Sequence, residues 1–148
     1  KFAYGCLKEL EKMSSETNDV YNFMDKFIEM FSDSNSYVRT RGLRLFAVNS
    51  KWDTEGKTEA VLDAYFEHIT DEKPTVARQC IQYLKFISNA KPELNQQIEN
   101  ALNNADFSKY RDNMSPLLCK DREQIQKSAL STLFILTSQD SFYKYIDS

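Results

Sequence analysis

Apolar residues recur along this chain at steps of three and four. Between Asn18 and Ser32 they fall at Val20, Phe23, Met24, Phe27, Ile28 and Phe31, and between Thr58 and Thr70 at Val61, Leu62, Tyr65, Phe66 and Ile69. Each set draws one stripe down an amphipathic helix. Pro74 and Pro92 suit the first turn of a helix, where the missing N–H costs nothing, and short polar connections precede them. Only three glycines and three prolines punctuate the 148 residues, too few for an all-β fold with a turn signal every ~8–12 residues. The pattern predicts an all-α chain. First (A) helices are expected over residues 18–33, 55–70 and 92–105, and second (B) helices over 36–50, 74–89 and 122–137. Residues 2–13 are expected to supply the second helix of a truncated N-terminal repeat, and 106–120 an insertion with one or two short helices.

The B segments repeat one another. With Val38, Val76 and Ile125 in register, the small residues Gly42, Cys80 and Ala129 follow four positions on. Leu43, Ile81 and Leu130 come next, then Phe46, Leu84 and Leu133, then Val48, Phe86 and Ile135. The copies are spaced by 38 and 49 residues, the insertion accounting for the longer step. A small residue lets a neighbouring helix approach closely, and the larger ones fill the groove between helices. Helix pairs of this kind cannot bury both faces alone, so they stack.

The turns before the copies read Asp33-Ser-Asn-Ser-Tyr-Val38-Arg39, Asp71-Glu-Lys-Pro-Thr-Val76-Ala77-Arg78 and Asp121-Arg-Glu-Gln-Ile125. This arrangement resembles the HEAT/armadillo superfamily, whose repeats carry an Asp, a Val five residues on, then an Arg. The run from Ser36 to Thr54 is also similar to small bacterial HEAT-like proteins of unassigned function. The resemblance implies a right-handed α-α superhelix of about three repeats (residues 18–51, 55–90 and 92–138) plus the truncated one, forming a single domain over 1–148. It also implies a ladder of Asp and Arg between stacked repeats, drawn from Asp33, Arg39, Asp71, Arg78 and Asp121. Asp33, Val38 and Arg39 match the family pattern fully. The second copy has Ala77 where the Arg belongs with Arg78 beside it, and the third is one residue short. Fold resemblance of this kind says little about activity.

Composition adds bounds. Apolar residues make up 41% and aromatics 13%, which opposes disorder. No apolar run approaches the roughly 18 residues of a membrane span. Lys1 in place of an initiator Met predicts a trimmed N-terminus, and no signal peptide pattern follows it. Cys6, Cys80 and Cys119 are odd in number and widely separated, which suits neither a disulfide framework nor a zinc site and predicts a cytoplasmic protein.

The net charge of −3 conceals a division. From Asn18 to Asp33 the balance is −3, from Glu55 to Asp71 −4, and from Pro92 to Asp106 −3. The B segments carry +4 from Val38 to Lys51, +3 from Val76 to Lys91 and +1 from Arg122 to Ser138. In HEAT-like solenoids the B helices line the concave face, so the resemblance implies a basic inner face and an acidic outer one. Repeat register places Arg41 with Gln79 and Ser128, Arg44 with Gln82 and Ser131, and Thr40 with Arg78 and Lys127. One reading is a groove for an acidic partner. The other is that neighbouring helices pair their charges internally.

Catalytic signals are lacking. No P-loop, dinucleotide fingerprint, nucleophile elbow or H-E-x-x-H motif occurs. His68 is the sole histidine and flanks the apolar stripe beside Ile69, so neither a catalytic residue nor a metal or other cofactor is expected. Trp52, after the first B helix, reads either as a plug between helices or as an aromatic at a binding surface beside Arg44 and Lys51. The sequence therefore predicts a non-catalytic module that binds an acidic protein through Arg41, Arg44, Lys51, Trp52, Arg78, Gln79, Gln82 and Lys127. The second reading is a nucleic-acid-binding or DNA-repair protein using the same face.

Overall fold

The computed structural model describes residues 2–110 and 123–136, and every regular element among them is helical. Helix α1 spans Phe2–Glu16, α2 Met24–Met30, α3 Ser36–Asn49, α4 Lys57–Ala60, α5 Leu62–Phe66, α6 Pro74–Ala90, α7 Asn95–Asn104 and α8 residues 123–136. Short 3₁₀ turns lead into α2 (Val20–Phe23) and α7 (Pro92–Leu94), follow α3 (Ser50–Trp52) and α5 (Glu67–Thr70), and form Ser108–Tyr110. None of the described helices is long and apolar enough to cross a membrane. Asp121, Cys119 and most of the expected insertion lie outside the described residues.

The B helices start where their caps stop the chain from starting earlier. Asp33 Oδ1 accepts the Asn35 amide at 2.8 Å, and Asn35 Oδ1 accepts the Tyr37 amide at 2.9 Å, capping α3. One copy later, Asp71 Oδ1 accepts the Lys73 amide at 2.9 Å, and Pro74 opens α6. The expected helix over 55–70 is instead broken into α4, α5 and a 3₁₀ turn. Gly56 adopts φ of 77°, in the left-handed region that glycine tolerates. Val61, at φ −119° and ψ 15°, interrupts the helical path between α4 and α5.

Helix α3 is the central strut. It packs against α1, α2 and α6, and residues 42–50 are all buried. Its small residue allows that enclosure: a Cβ placed on Gly42 would stand 2.6 Å from Met30 Cβ and 2.8 Å from the Phe27 carbonyl oxygen. In the next copy, Cys80 Sγ lies 3.5 Å from the Tyr65 carbonyl oxygen, and the Tyr65 hydroxyl donates to the Cys80 carbonyl at 2.7 Å. In both copies the small B-helix residue abuts the backbone of an A-helix residue 15 positions earlier. Phe31, Phe46 and Tyr65 fill the space between, with ring centroids 5.1 Å apart for Phe31–Phe46 and 5.7 Å for Phe46–Tyr65. The third copy differs. Leu130 is 67% exposed where Leu43 is 1% and Ile81 0%, so among the described residues nothing closes over the third apolar stripe at that position.

Many polar links between distant parts of the chain have a similar reach, the 72-residue Glu11–Tyr83 bond being longer. Tyr21–Asp53, Arg39–Asp71, Arg44–Glu11, Arg44–Gln79, Asn49–Ser14, Trp52–Ser14, Lys91–Asp53 and Tyr110–Asp71 each span between 32 and 39 residues. Arg78–Gln124 spans 46, across the insertion.

Candidate functional site

Three polar junctions, two centred on a buried aspartate and one part-buried, link the helices, and a cleft opens beside them. At the first, Arg39 of α3 grips Asp71 bidentately, Nε to Oδ2 at 3.0 Å and Nη2 to Oδ1 at 2.9 Å. The remaining Arg39 donor reaches the Asp33 and Ser34 carbonyls at 3.0 and 3.1 Å. His68 Nδ1 sits 2.7 Å from Asp71 Oδ2. Burial alone would push the Asp71 carboxyl up, but hydrogen bonds from His68, Arg39 and the Lys73 amide hold it well below the usual carboxylate range.

Asp53 makes the second junction. Its Oδ1 accepts the Tyr21 hydroxyl at 2.8 Å and the amides of Glu55 and Lys57 at 3.1 and 3.2 Å, and its Oδ2 accepts the Thr58 amide at 2.7 Å and Lys91 Nζ at 3.1 Å. Burial again opposes the charge, and the donors led by the Thr58 amide overcome it, so Asp53 too is held far below the usual range. Lys91 also meets Glu59 at 2.5 Å. Burial works against the lysine charge, and the two carboxylates outweigh it and hold the pKa above its ordinary value.

Glu11 of α1 makes the third. Its Oε1 accepts Arg44 Nε at 2.6 Å, and its Oε2 accepts the Tyr83 hydroxyl at 3.0 Å. The Arg44 guanidinium lies 4.8 Å over the Tyr83 ring, and its Nη1 donates to Gln79 Oε1 at 2.9 Å. Burial and then the Glu11 charge push the Tyr83 phenol up to about 12.

Between α6 and α8 lies a cleft of about 550 Å³ that reaches Arg44 on α3. Arg44, Arg78, Gln79, Gln82 and Lys127, five residues of the expected binding set, line it, joined by Tyr83, Gln124 and Ser128. Arg78 donates to Gln124 across the cleft, and Lys127 is exposed. A second cleft of about 500 Å³ adjoins, sharing Gln82, Tyr83, Lys127 and Ser128 and adding Lys85, Phe86, Ser131, Thr132 and Ile135.

The other expected residues fall elsewhere. Arg41 is half-buried on α3 and lines neither of these two clefts. Trp52 donates its indole N–H to the Ser14 carbonyl at 2.6 Å, and Lys51 donates to the Ser15 carbonyl while lying 4.7 Å from the Trp52 ring centroid. Both residues therefore fasten the C-terminal end of α1, and the plug is the geometry observed for Trp52. Internal charge pairing also takes its share: Arg39, Arg44 and Lys91 all spend their charge on carboxylates. Of the acids counted from Glu55 to Asp71, Asp71 is buried in the interior, while Asp63 and Glu67 stay on the surface. Glu11, Tyr83 and Gln124 were missed by sequence reasoning, because their roles depend on partners 33, 72 and 46 residues away.

Among the described residues no group of three or more His, Cys, Asp or Glu is placed to hold a metal ion. In comparisons with family models, curated proteins and solved structures, the chain matches none.

Proposed function

We propose that the chain is a short right-handed superhelix of HEAT-like repeats that binds an acidic protein partner, without catalysis, in the cleft between α6 and α8. The observation that carries the binding reading is the convergence of Arg78 and Lys127 with the amides of Gln79, Gln82 and Gln124 on one concave surface. Cations flanked by groups that both donate and accept suit carboxylates and the peptide groups beside them. The repeat reading is supported by the 15-residue contact made by Gly42 and again by Cys80. It is supported too by polar links that reach about one repeat length along the chain, from 32 to 39 residues. Free thiols at Cys6 and Cys80 fit a reducing compartment such as the cytoplasm.

The test is affinity capture with nuclease-treated extract, comparing the wild type with Arg78→Glu/Lys127→Glu. These two are chosen over Arg44, whose reversal would strand Glu11 and confound binding with stability. A protein captured by the wild type and lost from the reversal variant, with the helical circular dichroism signal unchanged, is the expected result. A partner retained by the reversal variant overturns the reading. The nucleic-acid reading is tested separately with the purified chain and intact nucleic acid, where phosphate contacts that release counterions make affinity fall steeply with salt.

A further inference from the structure

The two adjoining clefts differ in chemistry from end to end. Arg78 and Gln124 stand at one end, Lys127 and Gln82 in the shared middle, and Phe86 and Ile135 at the other. Ile135 is 42% exposed, a large apolar side chain left uncovered at the groove wall. From Arg78 to Phe86 along α6 is eight residues, about 12 Å at ~1.5 Å per residue. From Gln124 to Ile135 along α8 is eleven, about 16 Å on the same rise. An extended peptide covers that length in ~4–5 residues at ~3.3 Å each, and its side chains return to one face at every second position. A helical ligand has its interior backbone groups already paired and would offer Gln82 no free peptide group.

Resting on the acidic-partner reading above, we infer that the groove takes an extended peptide segment of a partner protein with a carboxylate at one position and a large apolar side chain four residues away. The carboxylate lies between Arg78 and Lys127, the apolar side chain on Phe86 and Ile135, and the intervening peptide groups against Gln82. Acid alone fills half of the groove, and an apolar side chain alone the other half. The apolar contact removes Ile135 from water, which acid-only ligands cannot do.

A phage-displayed library of random peptides, long enough to exceed the ~4–5 residues the groove covers, is panned on the full chain. Fluorescein-labelled synthetic copies of the selected peptides are then titrated by anisotropy against the wild type, R78E/K127E, I135E and I135N, each first checked for helical circular dichroism. Selected peptides are expected to share an acid and a large apolar residue at a spacing of four, and each variant is expected to weaken them by about tenfold or more. Acidic peptides with no apolar partner position, or ones bound equally by both Ile135 variants, overturn this inference and leave the acidic-partner reading intact. Peptides bound equally by R78E/K127E overturn both. Failure to select any peptide above background also overturns the inference, while the capture experiment decides the broader reading separately.

Discussion

The guanidinium of Arg39 and the carboxylate of Asp71 face each other through two hydrogen bonds of 3.0 and 2.9 Å, with side chains only 7% and 4% exposed. Removing one partner leaves the other charged and dry. Asp71→Ala is expected to cost about 3–5 kcal/mol, the range for halving a buried pair. Arg39→Lys keeps the charge but loses the planar fork, so it should fall short of that loss yet remain measurable. Urea unfolding followed by circular dichroism reads both. A loss below about 1 kcal/mol for Asp71→Ala, the ceiling of an exposed pair, would show that the junction does not carry the fold.

Acid should find the same junctions. Asp71 and Asp53 both titrate below their ordinary range in the folded protein, so as pH falls the unfolded chain takes up protons first. The stability they supply is complete above the ordinary aspartate value of about 3.9 and drains away as pH drops toward the folded values. The urea midpoint is expected to be insensitive to these two groups from neutrality to about pH 5 and to fall steeply below it. Asp71→Asn and Asp53→Asn should each start lower and fall less steeply. An unchanged slope in both variants would assign acid unfolding to other carboxylates.

Two glycines should respond in opposite senses. Gly42→Ala gains helix propensity but drives a methyl into Met30 Cβ and the Phe27 carbonyl. Overpacking of this kind costs about 1–3 kcal/mol, more than the ~0.8–1.0 kcal/mol that propensity returns. Gly5→Ala, on α1 with nothing within 4 Å of the new methyl, should be stabilising by roughly 0.5–1 kcal/mol. Thermal melts of the two variants give the contrast directly, and a stabilised Gly42→Ala would mean that α2 and α3 pack less closely than described.

Trp52→Phe keeps most of the ring and loses the bond to the Ser14 carbonyl. A loss of about 1 kcal/mol in unfolding free energy is expected, the net worth of one hydrogen bond. Affinity for any ligand of the cleft should not change. Altered affinity with unaltered stability would return Trp52 to the binding surface.

Cys80 is completely buried, and burial pushes its thiol well up, whereas Cys6 is exposed. Iodoacetamide at neutral pH, with the labelled peptides read by mass spectrometry, should modify Cys6 in the native protein and Cys80 only after urea. Native labelling of Cys80 at a comparable rate would contradict its burial.

The B helices were legible because their starts are chemically marked. The expected 36–50 and 74–89 end within one residue of α3 and α6, since Asn35 and Pro74 set the first turns locally. The A segments were less so. Nothing local announces that Asp53 captures five donors, among them the amides of Glu55, Lys57 and Thr58, and so forces the chain to turn before α4 begins. The five cleft residues share one surface because Arg78, Gln79 and Gln82 ride together on α6, with Lys127 facing them from α8 and Arg44 reaching in from the adjoining α3. Lys51, Trp52 and Arg41 lie off that surface, the first two because a carbonyl at the end of α1 offers each a partner. Charge counting went furthest astray for Arg39, Arg44 and Lys91. A sum over a segment cannot tell a charge facing solvent from one already neutralised by a carboxylate on another helix.

Glu11 ties the N-terminal helix to the centre of the molecule. Most of the long polar links close loops of 32 to 39 residues, but its bond to Tyr83 closes 72. The entropy of closing a loop grows slowly, by about 0.6 kcal/mol per doubling, so the longer reach is affordable. Its effect is on cooperativity. In a stack whose units touch only their neighbours, an end unit can fray alone. Here α1 cannot peel away without uncovering Arg44 on α3 and releasing Tyr83 on α6 together, so the N-terminal helix is expected to unfold with the centre of the molecule and not ahead of it.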